Sequence, residues 1–160
     1  MIRWLVFDVD GTLFRSRVAD NYESWARSVV EDPPKPVRGA RSFVKLALAM
    51  FPRARRLVLT ARPASLYYPT AKTLLRYFPE LDGAILSTRD PLDTRRPIES
   101  KVDRLARYRA TDDGRAIILE DEDLILRALV GKDDAGLLAP YCYADNAARK
   151  IFLSLADPAR

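Results

Sequence analysis

The 160-residue chain has the composition of a soluble globular protein, because 48% of its residues are hydrophobic and 31% are charged. It contains no histidine, which excludes Ser-His-Asp hydrolases, histidine-based acid-base catalysis and most zinc enzymes. Its net charge of +5, carried mainly by arginine, favours an anionic partner, since guanidinium groups bind phosphate through paired hydrogen bonds. The length predicts one domain over residues 1–160. Its apolar runs are too short to cross a bilayer and it shows no signal peptide, so we expect a cytoplasmic protein with no membrane partner.

Strand-length apolar runs alternate with helical patterns along the chain. The predicted strands are 2–8, 55–62, 83–88, 115–121 and 139–144, the last containing Cys142 as a buried, inert thiol. The predicted helices are 20–32, capped by Asp20 or Asn21, then 40–51, 65–78, 97–109, 123–130 and 146–156. This alternation predicts a doubly wound, Rossmann-like α/β domain with a parallel five-stranded sheet covered by helices on both faces.

Polar side chains follow the carboxyl ends of three predicted strands: Asp8 and Asp10, then Thr60 and Arg62, then the run from Glu120 to Asp123. Lys101 lies on the first predicted turn of the helix before the fourth strand. Doubly wound sheets place ligands at the carboxyl ends of their strands, so these groups are predicted to converge on one edge. Taken singly, each has a plainer explanation: an Asp-Gly turn, a strand threonine, a solvated lysine or a helix cap.

Four segments, in this order, resemble the four motifs of the haloacid dehalogenase-like (HAD) phosphatase superfamily. They are FDVDGTL at 7–13, LVLTAR at 57–62, SKVDRL at 100–105 and IILEDEDL at 117–124. The resemblance implies a phosphoryl-transfer enzyme in which Asp8 is the nucleophile and Asp10 the general acid-base. It also implies that Thr60 and Lys101 hold the transferred phosphoryl group, which suits a hydroxyl and an ammonium.

The resemblance further implies Mg²⁺ as cofactor, bound by the carboxylates of Asp8 and Asp121 and by the main-chain carbonyl of Asp10. Hard oxygen ligands of this kind suit Mg²⁺. The family commonly has two aspartates in the fourth motif. The Glu-Asp-Glu-Asp run of this chain therefore leaves Glu120 as a second candidate ligand and Asp123 as the expected cap of the following helix.

Gly11 is predicted to let the chain turn sharply beside the phosphate, with backbone N–H groups that bind it.

The spacing between the motifs leaves no room for a large cap domain, so we expect little or no cap. An open site of this kind accepts bulky or polymeric substrates, whereas small metabolites usually need a lid.

The segment RDPLDTRRPIESK, residues 89–101, is similar to the DTR segment that precedes the catalytic lysine in phage-type polynucleotide kinase/phosphatases. Those proteins remove 3'-phosphates from nucleic acid ends, which implies the same substrate here. The sequence has no P-loop, so only the phosphatase half is represented, and a separate kinase or ligase partner is compatible with the resemblance.

On this interpretation Arg62 and Arg95 are candidate contacts to the substrate phosphate, and Arg62→Ala is predicted mainly to raise KM. Tyr67 and Tyr68 are candidate stacking faces for a terminal base. The alternatives are solvated loop arginines and tyrosines packed in the core.

A nucleotidase acting on mononucleotides needs the same contacts and remains an alternative function. A non-catalytic nucleic-acid-binding domain is a second alternative, disfavoured because all five motif residues with chemical roles are present.

Overall fold

The structure, a computed structural model, describes residues 1–112, 114–143 and 147–156. Its strands are β1 (Ile2–Phe7), β2 (Arg55–Pro63), β3 (Ile85–Arg89), β4 (Arg115–Glu120) and β5 (Ala135–Leu138). Its α-helices are α1 (Tyr22–Glu31), α2 (Ala40–Met50), α3 (Tyr67–Tyr77), α4 (Pro97–Arg109), α5 (Asp123–Leu129) and α6 (Ala147–Ala156). Short 3-10 helices span Ala64–Leu66, Pro79–Leu81 and Tyr141–Tyr143.

The five strands form one parallel sheet in the order β3-β2-β1-β4-β5. Strand β1 occupies the centre because its side chains are buried on both faces. Trp4 and Val6 pack into one apolar cluster, whereas Leu5 and Phe7 pack into the other. The strand order reverses between the two halves of the sheet, so the prediction of a doubly wound α/β fold is confirmed.

Helices cover both faces of the sheet, as the alternating pattern predicts. Helices α2, α3 and α6 bury Val44, Leu74 and Phe152 in one cluster. Helices α4 and α5 bury Leu105 and Leu126 in the other. Within the described ranges, no helix combines the length and the apolar character needed to span a membrane.

Helix α1 begins where the sequence predicts. Asn21 is its N-cap, and the Asn21 side chain accepts a hydrogen bond from the Ser24 N–H at 2.9 Å. The helix contacts α3 and the 3-10 helix Ala64–Leu66. The segments 11–39 and 64–84 contain no helix beyond α1 in the first and α3 with two 3-10 helices in the second, so neither carries a cap domain.

The prediction for the fifth strand is wrong. Strand β5 is Ala135–Leu138, and within the predicted segment 139–144 the structure shows the 3-10 helix, with residue 144 outside the described part. Alanine and glycine have low strand propensity, so segment 135–138 carries only a weak local strand signal, whereas the aromatic residues after it favour a strand. Pro140 has no N–H to donate to a ladder. Cys142 is nevertheless buried, and burial raises the pKa of its thiol to about 12, which keeps it uncharged and unreactive.

Candidate active site

A buried lysine lies between two buried carboxylates at the carboxyl edge of the sheet. Lys101, one turn into α4, donates hydrogen bonds to Asp8 Oδ1 at 2.7 Å and to Glu120 Oε2 at 2.7 Å. Asp8 directly follows β1, and Glu120 ends β4. All three side chains are no more than 6% exposed. The two neighbouring strands and the helix therefore bring the first, third and fourth motifs into contact.

The charges in this cluster change one another's ionisation. Burial raises the pKa of Asp8, although Lys101 partly offsets this effect. Burial, followed by the nearby charge of Asp8, raises the pKa of Glu120 to about 8. Burial by itself would lower the pKa of Lys101, but the two carboxylates outweigh it and raise that pKa. The lysine therefore stays protonated, and the raised pKa values of the two acids mean that one ammonium does not fully offset their burial. A further cation nearby would stabilise their ionised forms.

Three carboxylates are close enough to share a metal ion. One carboxylate oxygen from each of Asp8, Glu120 and Asp121 lies within 4.8 Å of the others. Such hard oxygen ligands suit Mg²⁺. The set contains Asp8 and Asp121, the two carboxylates predicted as ligands, and also Glu120, the second candidate. The Asp10 carboxylate is not part of this group, and its main-chain carbonyl remains a predicted ligand.

Asp10 is held by a buried arginine. Arg62 donates from Nε to Asp10 Oδ2 at 2.8 Å and from Nη2 to Asp10 Oδ1 at 2.6 Å. Its third nitrogen, Nη1, donates to Thr70 Oγ1 at 3.0 Å. Arg62 is only 1% exposed, so all three guanidinium nitrogens are engaged within the protein. Three of its five N–H donors therefore serve Asp10 and Thr70, and the predicted contact between Arg62 and a substrate phosphate stays a prediction.

We therefore expect Arg62→Lys to lower kcat about 10- to 100-fold while KM changes by less than about threefold, the reverse of the pattern predicted for Arg62→Ala from sequence. Lysine keeps the charge but loses the paired hydrogen bonds that fix the Asp10 carboxylate. Steady-state kinetics on p-nitrophenyl phosphate would measure this split, with Arg53→Lys at an exposed position as the matched control. A raised KM at unchanged kcat would contradict it.

Thr60 lies beside this pair in β2, three residues before the end of the strand. The Thr60 hydroxyl oxygen accepts a hydrogen bond from the main-chain N–H of Arg62 at 3.2 Å. The hydroxyl proton of Thr60 is therefore still available for a ligand. The main-chain carbonyl of Thr60 accepts a hydrogen bond from Arg104 Nη2 at 2.8 Å, and Arg104 Nη1 donates to the Ser87 carbonyl at 2.8 Å. Arg104, on α4, thus fixes the helix that carries Lys101 to the ends of β2 and β3. The sequence gives no sign of this role, because a helix arginine three residues after Lys101 has no distinctive local signal.

Gly11 has a positive φ of 81°, a conformation that favours glycine. A Cβ at this position would overlap the Asp121 carboxylate, so the glycine also makes room for a candidate metal ligand. Its own N–H donates to the Phe14 carbonyl at 2.7 Å, and phosphate binding by the backbone N–H groups of this turn stays a prediction.

The other predicted site residues lie outside this cluster. Arg95 is 45% exposed and pairs with Asp93 at 2.8 Å and with Asp103 at 3.3 Å, which matches the solvated-loop alternative. Tyr68 is 82% exposed and stacks edge-on against Tyr67, with 5.5 Å between their ring centroids. The tyrosines are thus surface residues and not core residues.

Two further residues differ from the sequence interpretation. Glu122, and not Asp123, occupies the N-cap position of α5, and Asp123 instead forms an ion pair with Arg127 at 2.8 Å. Trp25, which the sequence analysis did not single out, lies on α1 with its ring centroid 6.0 Å from the Arg62 guanidinium carbon. It therefore places an aromatic ring near the Asp10 pair.

Comparisons with known proteins support the fold and leave the activity open. No protein-family model and no curated protein matches the chain. Among solved structures, the HAD domain of effector protein Lem4 from Legionella pneumophila, an inactive mutant, matches with a TM-score of 0.67 and 12% identity, over 99% of this chain and 96% of that one. Another structure of the same domain gives a TM-score of 0.64 and 13% identity, over 99% and 97%.

A chain of the Pnkp1/Rnl/Hen1 complex matches with a TM-score of 0.62 and 19% identity, over 84% of this chain and 46% of that chain. Together these similarities show that the chain has a HAD-like fold, as the four sequence motifs predict.

Proposed function

We propose that the chain is a Mg²⁺-dependent phosphomonoesterase that forms an aspartyl-phosphate at Asp8 and removes 3'-phosphates from nucleic acid ends. One observation carries the catalytic part of this proposal. The Asp8 carboxylate contacts a buried ammonium at 2.7 Å and shares an acidic cluster with Asp121 at the carboxyl edge of a HAD-like sheet. An aspartate that only formed a surface turn would be exposed to solvent and would not need a buried ammonium as partner.

The residues suit a two-step displacement. In the first step, an Asp8 oxygen bonds to phosphorus and the ester P–O bond breaks, while Asp10 gives its proton to the departing oxygen. In the second step, Asp10 takes a proton from a water molecule whose oxygen attacks phosphorus. The bond between Asp8 and phosphorus then breaks and inorganic phosphate leaves. Arg62 supports the second step by fixing the orientation of the Asp10 carboxylate that accepts the proton, and the first step requires a protonated Asp10 oxygen turned towards the departing oxygen.

Positive charge must offset the repulsion between an anionic nucleophile and a phosphate dianion. Mg²⁺, held by Asp8, Asp121 and the Asp10 carbonyl with Glu120 as a second candidate, would supply part of that charge. The Lys101 ammonium and the Thr60 hydroxyl would bind the phosphoryl oxygens and orient them for in-line attack. Lys101 already contacts the nucleophile Asp8. Its ammonium would therefore be close enough to stabilise negative charge on the oxygens of the phosphoryl group during the transfer.

Three observations favour a nucleic acid substrate. The edge of the sheet carries no cap domain in segments 11–39 and 64–84, which leaves room for a polymer. The net charge of +5 attracts a polyanion. Segment 89–101 also resembles polynucleotide kinase/phosphatases, and a chain of the Pnkp1/Rnl/Hen1 complex shares the fold. A separate kinase or ligase would complete the processing of such an end and is the partner we propose.

A substrate panel tests this function. Phosphate release in Mg²⁺ would be compared among a 3'-phosphorylated oligonucleotide, its 5'-phosphorylated counterpart, 3'- and 5'-mononucleotides and a phosphopeptide. The highest kcat/KM on the 3'-phosphorylated oligonucleotide is the expected result. A preference for a mononucleotide would indicate a nucleotidase. Oligonucleotide binding without release from any substrate would indicate a non-catalytic binding domain.

Metal removal gives a second test. We expect EDTA to lower phosphate release at least about 100-fold and added Mg²⁺ to restore it, because the acidic cluster needs a cation before an anionic substrate can approach. Mg²⁺ should also raise the melting temperature of the substrate-free protein, since a ligand that binds the native state stabilises it. Full activity in EDTA would contradict the proposed mechanism.

A further inference from the structure

A groove of about 370 Å³ lies between α1 and α3. Val29 and Val30 line it from α1, whereas Tyr68, Lys72 and Arg76 line it from α3. The proposed chemistry uses none of these side chains. The groove is therefore a surface separate from the proposed catalytic residues.

The charge of the groove is positive and unbalanced. Lys72 and Arg76 are both exposed, and neither forms a salt bridge with any described residue. None of the residues that line the groove carries a carboxylate. Two acidic residues, Glu31 and Asp32, separate Val30 from Pro33 on the other side of the groove, and Asp32 is paired with Arg17. The two cations on the α3 wall match the spaced negative charges of a nucleic acid backbone.

Apolar surface accompanies these charges. Tyr68 is 82% exposed and Val30 is 52% exposed, so a ring face and an aliphatic side chain are open to solvent beside the two cations. Bases stack on exposed aromatic rings without regard to sequence, and proteins that bind single strands combine such rings with a basic groove. The groove thus has both features that a single-stranded polynucleotide requires.

Helix α3, which forms one wall of the groove, also contacts the proposed catalytic pair. Arg62, which holds Asp10, also donates to Thr70 Oγ1 on α3 at 3.0 Å. Thr73, one turn further along α3, already lines the groove. Tyr68 and Arg76 are eight residues apart, so the groove follows α3 for about 12 Å at about 1.5 Å of rise per residue. The groove and the pair of Asp10 and Arg62 are therefore linked through α3.

We infer that the groove between α1 and α3 binds the unpaired nucleotides adjoining a 3'-terminal phosphate, which makes single-stranded polynucleotide ends better substrates than mononucleotides. This inference rests on the proposed function, since it names the part of the substrate that lies beyond the phosphate. Nucleotides held there contribute binding energy that a mononucleotide lacks.

The test is a double charge reversal, Lys72→Glu with Arg76→Glu, compared with Arg53→Glu and Lys132→Glu at exposed positions elsewhere. The measured quantity is the ratio of kcat/KM on a 3'-phosphorylated single-stranded oligonucleotide to kcat/KM on p-nitrophenyl phosphate. We expect the groove variant to lower this ratio at least about tenfold and the control variant to change it less than about twofold. Tyr68→Ala should lower the same ratio about threefold or more.

Salt dependence gives an independent measurement. The measurement uses the Asp8→Asn background, in which turnover is not expected. The logarithm of the association constant for the oligonucleotide falls linearly with the logarithm of the salt concentration. The slope of this line should become less negative by about 1.4 when Lys72 and Arg76 are both replaced by glutamine. Binding would be followed by the anisotropy of a fluorescent oligonucleotide.

The outcomes separate the inference from the proposed function. Activity on p-nitrophenyl phosphate with an unchanged ratio in the groove variant would overturn the inference and leave the phosphatase intact. A phosphopeptide preferred over the oligonucleotide would also overturn it. No release from any phosphomonoester by the unmodified protein would instead overturn the proposed function.

Discussion

Asp8→Asn will lower phosphate release by at least about 10³-fold on every substrate that the unmodified protein hydrolyses. The carboxamide is not an anionic nucleophile, so no aspartyl-phosphate can form. The fold should persist, because asparagine has nearly the same volume and its carbonyl oxygen can still accept the Lys101 hydrogen bond that Asp8 Oδ1 accepts at 2.7 Å. Release of inorganic phosphate and thermal melting together measure the two expectations.

The control for this variant is Asp133→Asn, which makes the same chemical change at an exposed position outside the acidic cluster. Mass spectrometry of the unmodified enzyme, quenched in acid during turnover, should show a phosphate adduct on the peptide that contains Asp8. Activity that survives Asp8→Asn, or an adduct on another peptide, would show that the nucleophile is a different group.

Lys101→Met will have the largest effect on stability, lowering the free energy of unfolding by about 3 to 5 kcal/mol at neutral pH. Lys101 is 3% exposed and lies between the carboxylates of Asp8 and Glu120, 6% and 1% exposed. Its removal leaves two buried acids without the ammonium that offsets their desolvation, so folding at neutral pH then requires them to bury charge or to take up protons. Chemical denaturation followed by circular dichroism would measure the change.

Lys132→Met is the matched control, since Lys132 is exposed and forms no salt bridge with a described residue. Mg²⁺ should recover more stability in Lys101→Met than in the unmodified protein, because the cation no longer competes with an ammonium for the same carboxylates. Equal stability of Lys101→Met and the unmodified protein would mean that the pairing with Asp8 and Glu120 contributes nothing to the folded state.

The catalytic candidates could be found from sequence because strand ends are locally visible. Asp8 and Thr60 directly follow continuous apolar runs, and parallel strands buried on both faces have this pattern. The contact between Lys101 and Asp8 spans 93 residues, yet it follows from the rule that doubly wound sheets gather such groups at one edge.

The pairing of Arg62 with Asp10 could not be found in the same way. Both residues lie at the predicted edge, but sequence does not say where a guanidinium points. Whether it faces solvent or a carboxylate depends on the depth at which β2 and α3 bury it, which only packing decides. The same holds for Glu120, whose side chain contacts Lys101 as well as belonging to the acidic cluster.

The sequence by itself determined the doubly wound α/β fold, because hydrophobic periodicity is a local property that each segment carries independently of its neighbours. It also determined which polar groups stand at the edge of the sheet. The tertiary structure decided the position of β5, whose alanine and glycine gain strand character only by pairing with β4. It also decided the partner of Arg62 and the groove between α1 and α3, since hydrogen-bond partners, burial and surface shape depend on segments that are distant in the chain.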